Sequence, residues 1–235
     1  MSWRAVPTAR MHLWLMLVLT FTTGINDAIG YLGLDKVFTG NMTGNVVILG
    51  MALVGDHEDL PVLGPALALV GFMVGAAIAG RALRTAGAGW NATTTVLLGF
   101  VALTMFVLGG MLLLTGDHPV TAAMVTVTTL AALAMGMQAA AARHLAVKDV
   151  TTVVVTSTIT GLAADSWLGA RKPGASARRI SAVVLILLGA FVGAAALQLH
   201  LASGLLLAGV LIAGVTVVGA AHEHATRTGG TVAVG

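Results

Sequence analysis

Three short blocks of this sequence occur twice, in the same order, in stretches apolar enough for a bilayer. Gly24-Ile25-Asn26-Asp27-Ala28 returns as Gly136-Met137-Gln138-Ala139-Ala140, and Thr39-Gly40-Asn41-Met42-Thr43-Gly44 as Thr156-Ser157-Thr158-Ile159-Thr160-Gly161. Gly71-Phe72-Met73-Val74-Gly75 returns as Gly189-Ala190-Phe191-Val192-Gly193. The offsets are 112, 117 and 118 positions, the pattern of a duplicated unit with about five residues gained after the first block. Duplicated halves in a lipid-embedded chain are a recurrent transporter design.

Lipid is the solvent that the composition demands. Of 235 residues, 57% are hydrophobic and 9% charged, with a mean hydropathy of +0.97. A span needs about 20 apolar residues, and eight stretches approach that length: 11–33, 37–54, 61–83, 92–115, 119–142, 150–168, 180–199 and 202–221. Little sequence lies between them, so the expected fold is all-α, a single polytopic membrane domain over 1–235. Its first repeat is 11–116 and its second 117–221, followed by a flexible cytoplasmic tail at 222–235. Arg4 and Arg10 precede an apolar run as in a signal peptide, but residues 20–24 make a poor cleavage site, and an uncleaved first span is expected.

Lys and Arg favour the cytoplasmic side of short loops, so topologies can be scored by where they fall. Eight simple crossings divide the 12 basic residues seven to five. If 37–54 and 150–168 instead dip into the membrane and return to the side they left, the division is eleven to one. Only Lys36 then lies outside, and the acidic stretch Asp56 to Asp59 faces out with it. A seven-span arrangement with 37–54 crossing scores ten to two, but segments carrying the same motif should behave alike. Each half then has three spans and one re-entrant segment. Three crossings invert the second half relative to the first, and both termini face the cytoplasm.

Re-entrant backbone survives at membrane depth only where protein or a water-filled cavity satisfies it, so these segments mark a path. Thr39, Asn41, Thr43 and Asn45 in the first and Thr156, Thr158 and Thr160 in the second are candidates to line it, with Asn26, Asp27 and Gln138 alongside. Asn41 and Asn45 would share a helical face, as would Gly40 and Gly44. The competing reading of these small and hydroxylated residues is helix packing. Packing is the expected role of Gly40, Gly44, Gly161 and of the Gly71/Gly75 and Gly189/Gly193 pairs. Asp27 lies deep in the first span, where an ionisable group is a functional hypothesis by default. It is the leading candidate for proton coupling, against a role tying two helices together. Asp165 is a second candidate, against a solvated helix end or a partner for Arg171. The run Val150 to Val155 is β-branched and could be partly extended.

The string Thr39-Gly40-Asn41-Met42-Thr43-Gly44-Asn45 after Gly24-Ile25-Asn26-Asp27-Ala28, with Gly136-Met137-Gln138 and Thr160-Gly161 in the second half, resembles the YoaK family of bacterial integral membrane proteins, a domain-of-unknown-function family. The likeness runs over roughly 12–221. It implies a bacterial inner-membrane protein and supplies no substrate. Where that family commonly has an asparagine after Gly-Met-Gln, this chain has Ala139 to Ala142, a less polar second half.

Other chemistries find little support. With no cysteine, disulfides, thiolate metal sites and cysteine nucleophiles are excluded. Seven scattered histidines make no metal-ligand spacing, and no phosphate-binding loop, dinucleotide fingerprint or zinc-protease motif occurs. No cofactor, enzymatic activity or nucleic-acid partner is expected, and oligomeric state is left open. The reading is a transporter-like protein carrying an unidentified small solute, with hydroxyls and amides suited to neutral or zwitterionic cargo. A passive channel of the same architecture and a membrane scaffold without transport are its competitors.

Overall fold

The computed structural model describes residues 6–54, 60–116, 119–147, 155–171 and 176–232. Those residues form helices only: α1 (Thr8–Gly33), α2 (Met42–Ala52), α3 (Leu63–Leu83), α4 (Ala92–Thr115), α5 (Thr121–Leu145), α6 (Val155–Ala164), α7 (Ser176–Ala196) and α8 (Ser203–Val232). Six are long and apolar enough to cross a bilayer, while α2 has 11 residues and α6 has 10. At 1.5 Å per residue the short pair reach about half of a 30 Å hydrocarbon core.

Local chemistry sets several boundaries. Asn91 starts α4, its Oδ1 accepting from Thr94 N at 3.0 Å. Gly116 ends it at φ +74, a conformation only glycine adopts cheaply. The acidic stretch 56–59, the repeat junction at Asp117-His118 and the β-branched residues 150–154 fall outside the described residues. The stretch expected as a tail is different: α8 continues through it to Val232, and His222 is buried, its Nε2 lying 3.4 Å from Thr8 Oγ1.

Close helix approaches fix the direction of every long helix. Gly189 lies against Phe21, Gly24 against Ile186 and Ala190, and Gly193 against Ile25 and Ala28, so α1 and α7 are parallel. Gly71 lies against Thr129 and Leu133, and Gly136 against Phe72 and Ala76, so α3 and α5 are also parallel. Gly109 meets Leu206 while Gly209 meets Phe106, which makes α4 and α8 antiparallel. Antiparallel too are α1 and α8, through Thr8 with His222 and Ile29 with Gly204. The side chains of Asn91 and His144 join the start of α4 to the end of α5. Helices α1, α4 and α7 therefore run one way and α3, α5 and α8 the other.

This pattern discriminates among topologies without any reference to charge. Eight alternating crossings would make α4 and α8 parallel, and crossing by α2 alone would make α1 and α7 antiparallel. In the observed bundle the chain leaves α1 and enters α3 at one end, and leaves α5 and enters α7 at the other. Arg10, Arg81, Arg84, Arg143, Arg178, Arg179 and Arg227 gather at the end where α1 begins, and Lys36 lies at the opposite end.

The expected packing glycines behave in two ways. At Gly71, Gly75, Gly189 and Gly193 a Cβ would meet the backbone of the neighbouring helix. Gly40, Gly44 and Gly161 do not form such a groove. Gly40 precedes α2 and abuts the Thr23 methyl, Gly44 faces the Phe38 ring, and Gly161 faces the Arg179 guanidinium.

Candidate functional site

The first re-entrant segment is built around two polar side chains. Asn45, fully buried, accepts from Phe38 N at 2.9 Å through Oδ1 and donates to Phe38 O at 2.7 Å through Nδ2. That pair closes the loop 38–45 on itself, satisfying both backbone groups of Phe38. Asn41 is the N-cap of α2, its Oδ1 accepting from Gly44 N at 3.2 Å. Asn41 and Asn45 thus do not share a helical face: a cap and a loop clasp are the jobs these amides do.

Asp27, projecting from α1, reaches the same turn. Its Oδ1 accepts from Gly40 N at 2.7 Å, and from Asn41 N and Thr39 Oγ1 at 3.4 Å each. One carboxylate oxygen thereby sits where the exposed N–H groups ahead of α2 would otherwise attract an anion. Asp27 thus ties the turn ahead of α2 to α1, and it also borders open space.

That space is a cavity of about 540 Å³ with walls from both halves of the chain. Asp27, Asn41 and Thr43 line it from the first half, and Val155 and Thr156, the first residues of α6, from the second. Ile186, midway along α7, closes another side. Of the residues expected from sequence, Asp27, Gly40, Asn41, Thr43, Gly44 and Thr156 border the cavity. Thr39, Asn45, Asn26 and Gln138 are buried in the packing around it, and Thr158 and Thr160 lie further along α6. Thr160 Oγ1 donates to Thr156 O at 2.9 Å.

The lining also contains Thr23, Tyr31 and Phe38, which the sequence reading passed over. The signal was there. Thr23, Asp27 and Tyr31 recur every four residues and so form one stripe of α1, and Tyr31 is the chain's single tyrosine. Tyr31 and Phe38 stack with ring centroids 4.8 Å apart. Behind Thr23, Gln138 of α5 donates through Nε2 to Thr23 Oγ1 and Leu19 O, at 3.4 Å each. Asn26 and Gln138 each keep a buried side-chain oxygen without a partner among the described residues.

Asp165 faces away from the cavity toward Arg179 of α7, at 2.8 Å, instead of Arg171. Arg179 Nη1 also donates to Gly161 O at 3.0 Å, fastening α6 to α7. Arg171 donates to Trp167 O and lies 5.2 Å from the Trp167 ring. No group of three or more histidine, cysteine or acidic residues able to hold a metal occurs among the described residues.

Six apolar spans and two half-length helices define a polytopic α-helical membrane protein. The chain belongs to the DUF1275 family, described as a protein of unknown function, whose model matches residues 15–218. It is 36% identical over 155 residues to the UPF0700 transmembrane protein YoaK of Bacillus subtilis (strain 168). That alignment covers 64% of this chain and 65% of the relative, a little under two thirds of its length. No solved structure matches.

Proposed function

We propose that the protein is a secondary carrier of a small solute in a bacterial plasma membrane, built as two inverted repeats with both termini cytoplasmic. The carrying observation is the cavity that the N-terminal residues of α2 and α6 both line, each short helix belonging to a chain excursion from opposite ends of the bundle. Inverted repeats with broken helices at mid-depth are a common plan for alternating access, because each hairpin can seal the path from its own side. Support for the repeat comes from its pairing scheme. Exchanging α1 with α5, α3 with α7 and α4 with α8 maps the α1/α7 contact onto α3/α5 and the α4/α8 contact onto itself. Collection of the basic residues at the end where α1 begins supports cytoplasmic placement of that end.

Single cysteines test the topology directly, since the natural chain has none. Lys36→Cys and Val54→Cys should label from outside, and Arg84→Cys and Arg171→Cys from inside. A split within either pair would remove the inverted arrangement. For transport, protein in liposomes should move its solute against a gradient when a proton gradient is imposed. Flux that ignores the proton gradient and survives Asp27→Asn would make the protein a channel, and no flux with any solute would leave a scaffold.

A further inference from the structure

Building on the reading of the cavity as a solute site, we propose that its occupant is a small organic ammonium ion, with its N–H head on Asp27 and its apolar body against Tyr31 and Phe38. Asp27 carries the only formal charge among the lining residues, which include no lysine, arginine or histidine. Its Oδ1 is committed to the turn, while Oδ2 takes no hydrogen bond from any described residue. A carboxylate in a low-dielectric wall without a cationic partner attracts a positive charge more strongly than one in water.

An anion is disfavoured by the same geometry. Four of the five N–H groups from Gly40 to Gly44 are already engaged: Gly40 N and Asn41 N by Asp27, Met42 N by Gly40 O, and Gly44 N by the Asn41 side chain. The nearby guanidinium of Arg179 is paired with Asp165 and points at Gly161 O. A bare metal cation fits poorly too, because a single carboxylate is surrounded by Val47, Ile48, Val155 and Ile186. Those apolar groups ask for a ligand with a hydrocarbon body, and the stacked rings of Tyr31 and Phe38 add aromatic surface to the same wall. The volume of 540 Å³ falls in the range of small-molecule sites, roughly 300–1,000 Å³.

Three probes of matched shape separate the charge classes: 2-phenylethylammonium, 2-phenylethanol and 3-phenylpropionate. The full chain in lipid nanodiscs should be stabilised against heat by the ammonium probe, saturably, and not by the other two. Asp27→Asn, which keeps an acceptor for the turn, should weaken that effect about tenfold or more. Tyr31→Leu, which removes the stacked ring and none of the turn's hydrogen bonds, should weaken it by roughly threefold to tenfold. Equal or larger stabilisation by the alcohol or the carboxylate, no stabilisation by the ammonium, or a response unchanged in both variants would each overturn the assignment. Saturable, Asp27-dependent stabilisation without flux in liposomes would keep this ligand class and remove the carrier reading. Flux of phenylpropionate without ammonium binding would do the reverse.

Discussion

The two short helices carry similar Thr/Gly strings yet are held in place by different means. Helix α2 is fastened from within: Asn45 clasps Phe38, Asn41 caps the helix, and Asp27 reaches across from α1. Helix α6 has no buried residue and is fastened from outside, by the Arg179 guanidinium on Gly161 O and Asp165. Asn45 corresponds to Leu162 and Asp27 to Ala139, so the side chains that fasten the first hairpin have no counterpart at those two positions of the second. Among the described residues one hairpin is tied by buried amides and a carboxylate, the other by a partly exposed ion pair. Opening energies differ across a structure in this way, and moving elements come from the weakly attached end.

The largest effect should come from helix crossings that both halves share. Gly136→Ala places a methyl against the Phe72 carbonyl, where only backbone could yield, and should cost about 1–3 kcal/mol in unfolding by denaturing detergent. Gly161→Ala, which meets only the movable Arg179 side chain, should change stability far less. Equal losses at the two glycines would contradict the distinction between crossing and hairpin. Next in size is Asn45→Ala, which orphans both backbone groups of Phe38 and should cost about 1–3 kcal/mol. Leu162→Ala at the matching place on α6 should cost well under that, because the site is only partly buried. Breaking the outer clamp with Arg179→Gln should lower stability by about 1 kcal/mol or less, the pair being partly exposed. Its clearer readout is amide exchange: 155–170 should lose protection while 38–52 keeps it. The smallest effect concerns Asp35, at the entrance to the first hairpin. Burial pushes its carboxyl above the ordinary value, opposed by the charge of Lys36. The native state therefore holds the proton longer than the unfolded chain, and the contribution to stability falls as pH rises through that raised value. Asp35→Asn should flatten this slight slope between acid and neutral pH.

Much of the fold was legible because bilayer physics is strict. Span length, the distribution of arginine and the repetition of the Thr-Gly motif all pointed to six crossings and two returning segments, and helix directions read from glycine contacts agree. The site was legible only in outline. Asp27 and Thr156 could be named from their polarity at membrane depth, but which polar groups face open space depends on where α2 begins. Asn41 starts it one residue later than a helix through Gly40 would allow, and this turns Asn45 from a lining residue into a clasp. Tyr31 and Phe38 went unremarked because an aromatic residue in an apolar span carries no signal of its own, and only its four-residue spacing from Asp27 distinguishes Tyr31. Arg179 and Asp165, 14 positions apart, are joined by the turn between α6 and α7, which no periodicity reveals.

The parallel pairing of α1 with α7 and of α3 with α5 means that each half lends its first helix to the other. Gly24 enters the membrane about 160 residues ahead of Ile186, its neighbour in the bundle. At synthesis rates of about 5–20 residues per second, α1 waits on the order of ten seconds for its partner. During that interval the close-packed face of α1 at Gly24 and Ala28, which α7 covers in the finished bundle, must be covered by lipid or by the insertion machinery. A chain cut short before α7 would leave that face open, while Asn26 and Asp27 would still find Met135 of α5 and the turn ahead of α2.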